Sequence, residues 1–105
     1  EISLIDTKVT DAGLKDVAEL QQLERLHLRG NNITNEGLKE VARLKKLALF
    51  NLDKTQITDA GLEEVAKLTQ LALLSLFDTK VTRTGVKQLQ KALPECKILH
   101  NAKED

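Results

Sequence analysis

The stretch Thr55-Gln56-Ile57-Thr58-Asp59-Ala60-Gly61-Leu62 is one copy of a motif that returns every 24 residues. Its equivalents run from Thr7 to Leu14, from Asn31 to Leu38 and from Thr79 to Val86. Gly13, Gly37, Gly61 and Gly85 share one place in this lattice, as do Val9, Ile33, Ile57 and Val81, and Thr10, Thr34, Thr58 and Thr82. Self-similarity at a fixed period of this size is the signature of a repeat architecture. Upstream of each copy stand Leu4, Leu28, Leu52 and Leu76 and, two residues earlier, Ile2, Leu26, Phe50 and Leu74, which alternate with other residues at strand spacing. Downstream, Leu14, Val17 and Ala18 and their equivalents fall at i, i+3 and i+4, one face of a helix, with a Thr before each helix placed to cap it. Each unit therefore reads as strand, turn and short helix.

A unit of this size cannot hide its apolar face alone, so neighbours stack, with strands pairing sideways into a parallel sheet and helices lining the opposite side. Parallel crossovers are right-handed almost without exception, which predicts a right-handed α/β solenoid. We expect one domain over residues 1–100, with units at about 1–22, 23–46, 47–70 and 71–94, a closing strand at 96–99 and a frayed tail at 101–105. Pro94 removes a backbone donor and ends the last helix. Cys96 and Ile98 are then expected to take the inward places held one unit earlier by Leu74 and Leu76. The repeated glycine reads as a point of close packing between units, where a Cβ would clash. Thr7, Asn31, Thr55 and Thr79 read as residues that satisfy loop backbone within the stack. Ile2 to Ile5 would form an uncovered edge strand, a feature that proteins usually protect, and this leads us to expect a further N-terminal part.

The pattern carried by Leu23, Leu26, Leu28, Asn31, Ile33 and Thr34 resembles the leucine-rich repeat. The Thr-x-Ile-Thr-Asp-Ala-Gly-Leu variant at Thr55 to Leu62 is most similar to bacterial leucine-rich repeat proteins of the planctomycete kind. It is also similar to the repeats of F-box substrate receptors, which carry Cys where this chain has Thr7, Asn31, Thr55 and Thr79. The resemblance implies a solenoid with parallel strands on the concave face and helices on the convex face. It also implies a protein-interaction module.

Composition narrows the function further. Of 105 residues, sixteen are Lys or Arg and sixteen Asp or Glu, a formal net charge of zero, and no block of cations stands out. Non-specific affinity for nucleic acid needs clustered cations, so neither nucleic acid nor an anionic membrane is an expected partner. No apolar run exceeds four residues, as in Leu71 to Leu74, against the roughly 18 needed to cross a bilayer. There is no Trp, Tyr or Met and there are only two Phe, so the usual aromatic walls of a small-molecule pocket are missing.

Catalytic and metal-binding patterns are not found. His27 falls on the second strand and His100 on the fifth, about 14 Å apart by strand spacing, too far to share an ion with Cys96. Cys96, the single cysteine, reads as a small buried hydrophobe rather than a reactive thiol. No Gly-x-Ser-x-Gly elbow, Walker loop or dinucleotide fingerprint occurs, and the glycines follow the repeat. Asp16, Glu40, Glu63 and Glu64, balanced by Lys15, Lys39 and Lys67, read as the solvated outer face of the helices. The expectation is a protein that is not an enzyme and takes neither cofactor nor metal.

What remains is the outward side of the strands, where alternate side chains form columns across the sheet. One expected column is Glu1, Arg25, Leu49, Leu73. The second is Ser3, His27, Asn51, Ser75, Lys97, and the third Ile5, Arg29, Asp53, Phe77, Leu99. An open sheet face should be polar, so Leu49, Leu73, Phe77 and Leu99 break the rule and mark a candidate partner surface. Its expected members are Arg25, His27, Arg29, Leu49, Asn51, Asp53, Leu73, Phe77 and Leu99, with Phe77 and Leu99 paired across two strands and Asp53 beside Arg29. The reading is a non-catalytic module binding a protein of unknown identity. The alternatives are a structural element stacking end to end or self-associating through exposed edge strands, and a regulatory arm of a larger protein.

Overall fold

The structure, a computed structural model, describes residues 2–4 and 8–103. Among these, five parallel strands form one sheet in chain order: β1 (Ile2–Ser3), β2 (Arg25–His27), β3 (Leu49–Asn51), β4 (Leu73–Leu76) and β5 (Lys97–His100). Each of the first four is followed by a crossover through the opposite layer, made by a 3-10 turn Asp11–Gly13 running into α1 (Leu14–Val17), then α2 (Asn35–Val41), α3 (Asp59–Val65) and α4 (Arg83–Ala92). This is the α/β solenoid that the repeat predicts. Glu1, Ile5 and Thr7, which the sequence also placed in the lattice, lie outside the described residues, as do Glu104 and Asp105.

The core follows from the two periodicities. The inward strand residues Leu26, Phe50 and Leu74 and, two places on, Leu28, Leu52 and Leu76 are all buried. They meet Leu38, Val41, Leu62, Val65, Val86 and Leu89 from the helices, with Ile33, Ile57 and Val81 filling the turn between the layers. Full burial of such a side chain stabilises by about 1.5–3 kcal/mol, so the stack is held mainly by this continuous aliphatic column. At the N-terminal unit the same lattice places are only half-buried at Ile2, Leu4, Val9 and Val17.

Polar side chains lock the turns. Asn31 is buried, its Oδ1 accepting from the Val9 N–H at 2.8 Å and its Nδ2 donating to the carbonyls of Leu28 at 3.0 Å and of Leu4. Thr55 and Thr79 do a simpler version of this, donating to the carbonyls of Leu52 and Leu76 at 2.7 and 3.0 Å. These residues satisfy loop backbone as expected, within and between units.

The glycine column has a more specific cause than general close packing. A Cβ at Gly37 would collide with the Asp11 carboxylate and come within 2.8 Å of Leu14 Cδ1. One at Gly61 would meet the Asn35 amide oxygen and one at Gly85 the Asp59 carboxylate. Each of these acceptors reaches from the preceding unit to the backbone at the start of the next helix. Thr34, Thr58 and Thr82 N–H donate to Asp11, Asn35 and Asp59 Oδ1 at 2.9, 3.0 and 2.8 Å. The Thr hydroxyls join in: Thr34 and Thr82 donate to the second carboxylate oxygen, and Thr58 accepts from Asn35 Nδ2 at 2.7 Å. Thr34 and Thr82 also cap their own helices, accepting from Glu36 N and Gly85 N, whereas Thr10 and Thr58 make no such bond. The expectation of a Thr cap in every unit holds for two of the four. The glycine clash is likewise absent at Gly13, where a Cβ would meet only Val9 Cγ1 at 3.4 Å.

The closing segment corrects the register read from the sequence. Ile98 pairs with Leu74 and His100 with Leu76, so Cys96 sits one inward place earlier, and the strand is Lys97–His100 rather than 96–99. The 24-residue lattice therefore continues without a slip. α4 has 10 residues against 7 in α3, and it absorbs positions that form the turn in the other units. The backbone ladder is unchanged, with Lys97 N–H donating to Ala72 O at 2.9 Å just as Leu73 N–H donates to Ala48 O at 3.1 Å. Asn101, Ala102 and Lys103, expected to fray, are tied down: Asn101 exchanges hydrogen bonds with Asp78, and Arg83 donates through Nε to Ala102 O and through its N–H to Lys103 O.

Candidate functional site

The strand pairing fixes the columns of the open sheet face. In the first, Arg25 pairs with Leu49, Leu49 with Leu73 and Leu73 with Lys97. In the second, Ser3, His27, Asn51, Ser75 and Leu99 follow one another. Arg29, Asp53 and Phe77 lie two residues beyond the second column, past the ends of the short strands.

Two expected neighbours therefore change place. Lys97 stands beside Leu73 rather than Ser75, and Leu99 stands beside Ser75 rather than Phe77. The reason is the unbroken lattice: with Ile98 opposite Leu74, the residues on either side of it, Lys97 and Leu99, must take the outward places beside Leu73 and Ser75. Phe77 and Leu99 are then diagonal rather than paired. Lys97 joins the face at its first column, and the spacing rule that aligns Leu49 with Leu73 would have found it, since 73 plus 24 is 97.

Burial distinguishes the two faces of each strand. On β3, Leu49 and Asn51 are half-buried while Phe50 between them is closed off. Leu73 and Leu99 are half-buried, Arg25 and Lys97 exposed, and Phe77 is 37% exposed, one of two large hydrophobes with that much surface among the described residues. Ser75 is the exception, buried at 9% because its Oγ donates to Asp53 Oδ1 at 2.7 Å.

Asp53 organises this end of the face. Its Oδ1 accepts from Ser75 Oγ and from the Phe77 N–H at 2.8 Å, and its own N–H donates to Asn51 Oδ1 at 2.9 Å. The Phe77 carbonyl in turn accepts from Lys54 N–H at 2.8 Å. The phenyl ring is thus carried on a backbone held from two sides. Asp53 forms no ion pair with Arg29; its carboxylate is committed to the neighbouring strand.

The helix side is different in kind. Lys39 pairs with Glu36, Arg43 with Glu40 and Lys67 with Glu64, all one turn apart, with the cations exposed and Glu40 and Glu64 half-buried. Such pairs contribute little and leave a balanced, solvated surface. On the sheet face, Arg25, Arg29 and Lys97 form no ion pair with a described residue. Among the described residues no group of three His, Cys, Asp or Glu is placed to hold a metal, and no helix is long and apolar enough to cross a membrane. Cys96 is buried, and burial raises its thiol above the ordinary pKa.

Comparison with known proteins agrees with this architecture. The family model described as Leucine Rich repeat matches residues 20–42. No curated protein sequence matches the chain. Among solved structures, it is similar to an internalin C2 from Listeria monocytogenes, with a TM-score of 0.70 and 24% identity over 99% of this chain and 53% of the other. It is also similar to a leucine-rich repeat protein of Leptospira interrogans, with a TM-score of 0.57 and 28% identity over 80% of this chain and 27% of the other. A second Listeria internalin gives a TM-score of 0.56 and 19% identity over 86% of this chain and 32% of the other. The chain spans about a quarter to a half of the length of these proteins.

Proposed function

From the premise that this chain is a leucine-rich repeat solenoid, we propose that it is a non-catalytic module that binds a protein partner through its open sheet face. Leucine-rich repeats serve typically as protein-interaction modules and are typically non-enzymatic. The observation that carries the reading is the Leu49–Leu73 pair on adjacent strands, on a face that water alone would favour as polar. Phe77 and Leu99 extend it, Arg25, His27 and Arg29 border it on the N-terminal side, and Asn51 and Asp53 lie between. An apolar centre with an Arg-containing rim is the usual anatomy of an interface. The contact residues in this reading are those nine, with Lys97 added.

End-to-end stacking of copies has one observation in its favour. Leu20 is 46% exposed, while its equivalents Leu44 and Leu68 are buried, so the N-terminal end of the stack offers apolar surface. The interlock weighs against it. In the last unit Arg83 stands where Asp11, Asn35 and Asp59 supply an acceptor, and it is turned to the carbonyl of Ala102 instead. A copy docking head to tail would meet no acceptor there.

The test is a titration of a partner recovered with the wild-type chain against three variants. Leu73→Glu and Phe77→Ala should each weaken binding about tenfold or more, and Lys39→Glu on the helix side should leave it unchanged. Loss with Lys39→Glu and retention with the other two would put the partner on the wrong side of the sheet.

A further inference from the structure

Resting on that reading, we propose that the sheet face recognises an extended, acidic protein segment in which one aliphatic side chain lies between two carboxylates, in the order acid, any residue, aliphatic, any residue, acid. The first column carries it: cation, leucine, leucine, cation, in the order Arg25, Leu49, Leu73, Lys97 on four consecutive strands. The chain as a whole has zero formal charge, yet Glu36, Glu40 and Glu64 of the helices are paired locally, and the two ends of this column among the described residues are positive. Neither Arg25 nor Lys97 holds an ion pair with a described residue. Asp53, the acidic member of the face among the described residues, has an oxygen committed to Ser75 and to the Phe77 backbone.

The spacing selects the segment. Strands in a sheet lie about 4.8 Å apart, so three steps from Arg25 to Lys97 span about 14 Å. An extended chain rises about 3.3 Å per residue and presents residues i, i+2 and i+4 on one side, which covers about 13 Å. A segment laid across the strands therefore sets its first and fifth side chains over Arg25 and Lys97 and its third over the Leu49–Leu73 pair. Carboxylates suit the ends and leucine, isoleucine or valine the middle. A basic segment would bring like charges together at both ends, at a distance where exposed charges still interact in physiological salt.

The experiment is a titration of the isotope-labelled chain, followed by backbone amide shifts, with three end-capped heptapeptides. These are Gly-Glu-Ser-Leu-Ser-Glu-Gly, the same peptide with Lys for both Glu, and the same peptide with Ser for Leu. The first should shift Leu49, Leu73 and Lys97 with saturation, and each control peptide should bind at least fivefold more weakly. Lys97→Glu, at an exposed position that leaves the fold intact, should weaken the first peptide by a similar factor, and a peptide with Lys for one Glu should recover the loss. If the basic or leucine-free peptide shifts the same residues equally well, the acidic pattern is wrong while recognition through the sheet face stands. Shifts confined to α2 and α3 overturn both. No saturable shift with any peptide overturns the acidic segment, and the partner titration above then decides the broader reading.

Discussion

The carboxyl group of Asp59 occupies the space that a side chain at Gly85 would need, and from there it accepts the Thr82 N–H at 2.8 Å. A residue that caps the next unit and a residue that makes room for it are therefore 26 positions apart in the chain and form one device. The same pairing recurs between Asp11 and Gly37 and between Asn35 and Gly61.

Substitutions in the glycine column should change sign along the stack. At Gly13, with φ of −69° and only Val9 Cγ1 in contact, Ala should stabilise by about 0.5 kcal/mol through reduced chain entropy. At Gly37 the same change should destabilise by about 1–3 kcal/mol, because Asp11 and Leu14 must both move. Gly61→Val should be at least as damaging, while Lys67→Ala, on the solvated helix face, should stay within about 0.5 kcal/mol. Urea midpoints measure all four. Equal shifts at Gly13 and Gly37 would mean that the neighbour's carboxylate is not what excludes a side chain.

Removing the acceptor should be costly in a matching way. Asp59→Ala leaves the start of α4 without its partner from the preceding unit, and should destabilise by about 1–2 kcal/mol. In the Gly85→Ala background the further loss on adding Asp59→Ala should be smaller, since the two changes disturb one contact. Additive losses in the double-mutant cycle would separate the roles of the two residues.

A left-handed turn residue follows β2, β3 and β4. Gly30, Lys54 and Asp78 share this place with φ of 76°, 58° and 58°. A side chain in that region costs roughly 1–2 kcal/mol, partly offset in glycine by its greater unfolded-state entropy. Lys54→Gly should therefore stabilise by about 0.5–1 kcal/mol, read as a rise in the urea midpoint. A loss of stability would show that the Lys54 side chain has a compensating role.

The thiol of Cys96 should make stability pH-dependent on the alkaline side. Burial raises its pKa above the ordinary 9.0, so the unfolded chain ionises first as pH climbs. The stabilisation is fully present below about pH 8 and is lost as pH rises through the folded value. Cys96→Ala should flatten this part of the profile, at the cost of a small cavity. An unchanged alkaline slope in the variant would assign the loss to other groups.

Much of this molecule was legible in one dimension because its determinants are local and periodic. Period two in Leu26–Leu28 and its copies gives strands, i, i+3, i+4 in Leu38–Ala42 and its copies gives helices, and a common 24-residue spacing leaves stacking as the way to bury both faces. The outward columns followed for the same reason, which is why Leu49 and Leu73 could be placed side by side without coordinates. The last strand could not be read so simply. Pro94 looks like a break in the lattice, yet register is set by the ladder from β4, and a longer α4 absorbs the difference. That decided that Lys97 closes the first column rather than the second, and Leu99 the second rather than the third.

The interlock was hidden for a different reason. Asp11, Asn35 and Asp59 are ordinary first-turn helix residues in sequence, and nothing in one unit shows that their side chains serve the next. Their partners lie 23 positions on, at Thr34, Thr58 and Thr82, and meet them only when units stack at the close distance that glycine permits. The local order of residues thus determines what each unit is. How firmly one unit holds the next, and which charges face out together, depends on side chains that are distant in the chain and become neighbours only in the tertiary structure.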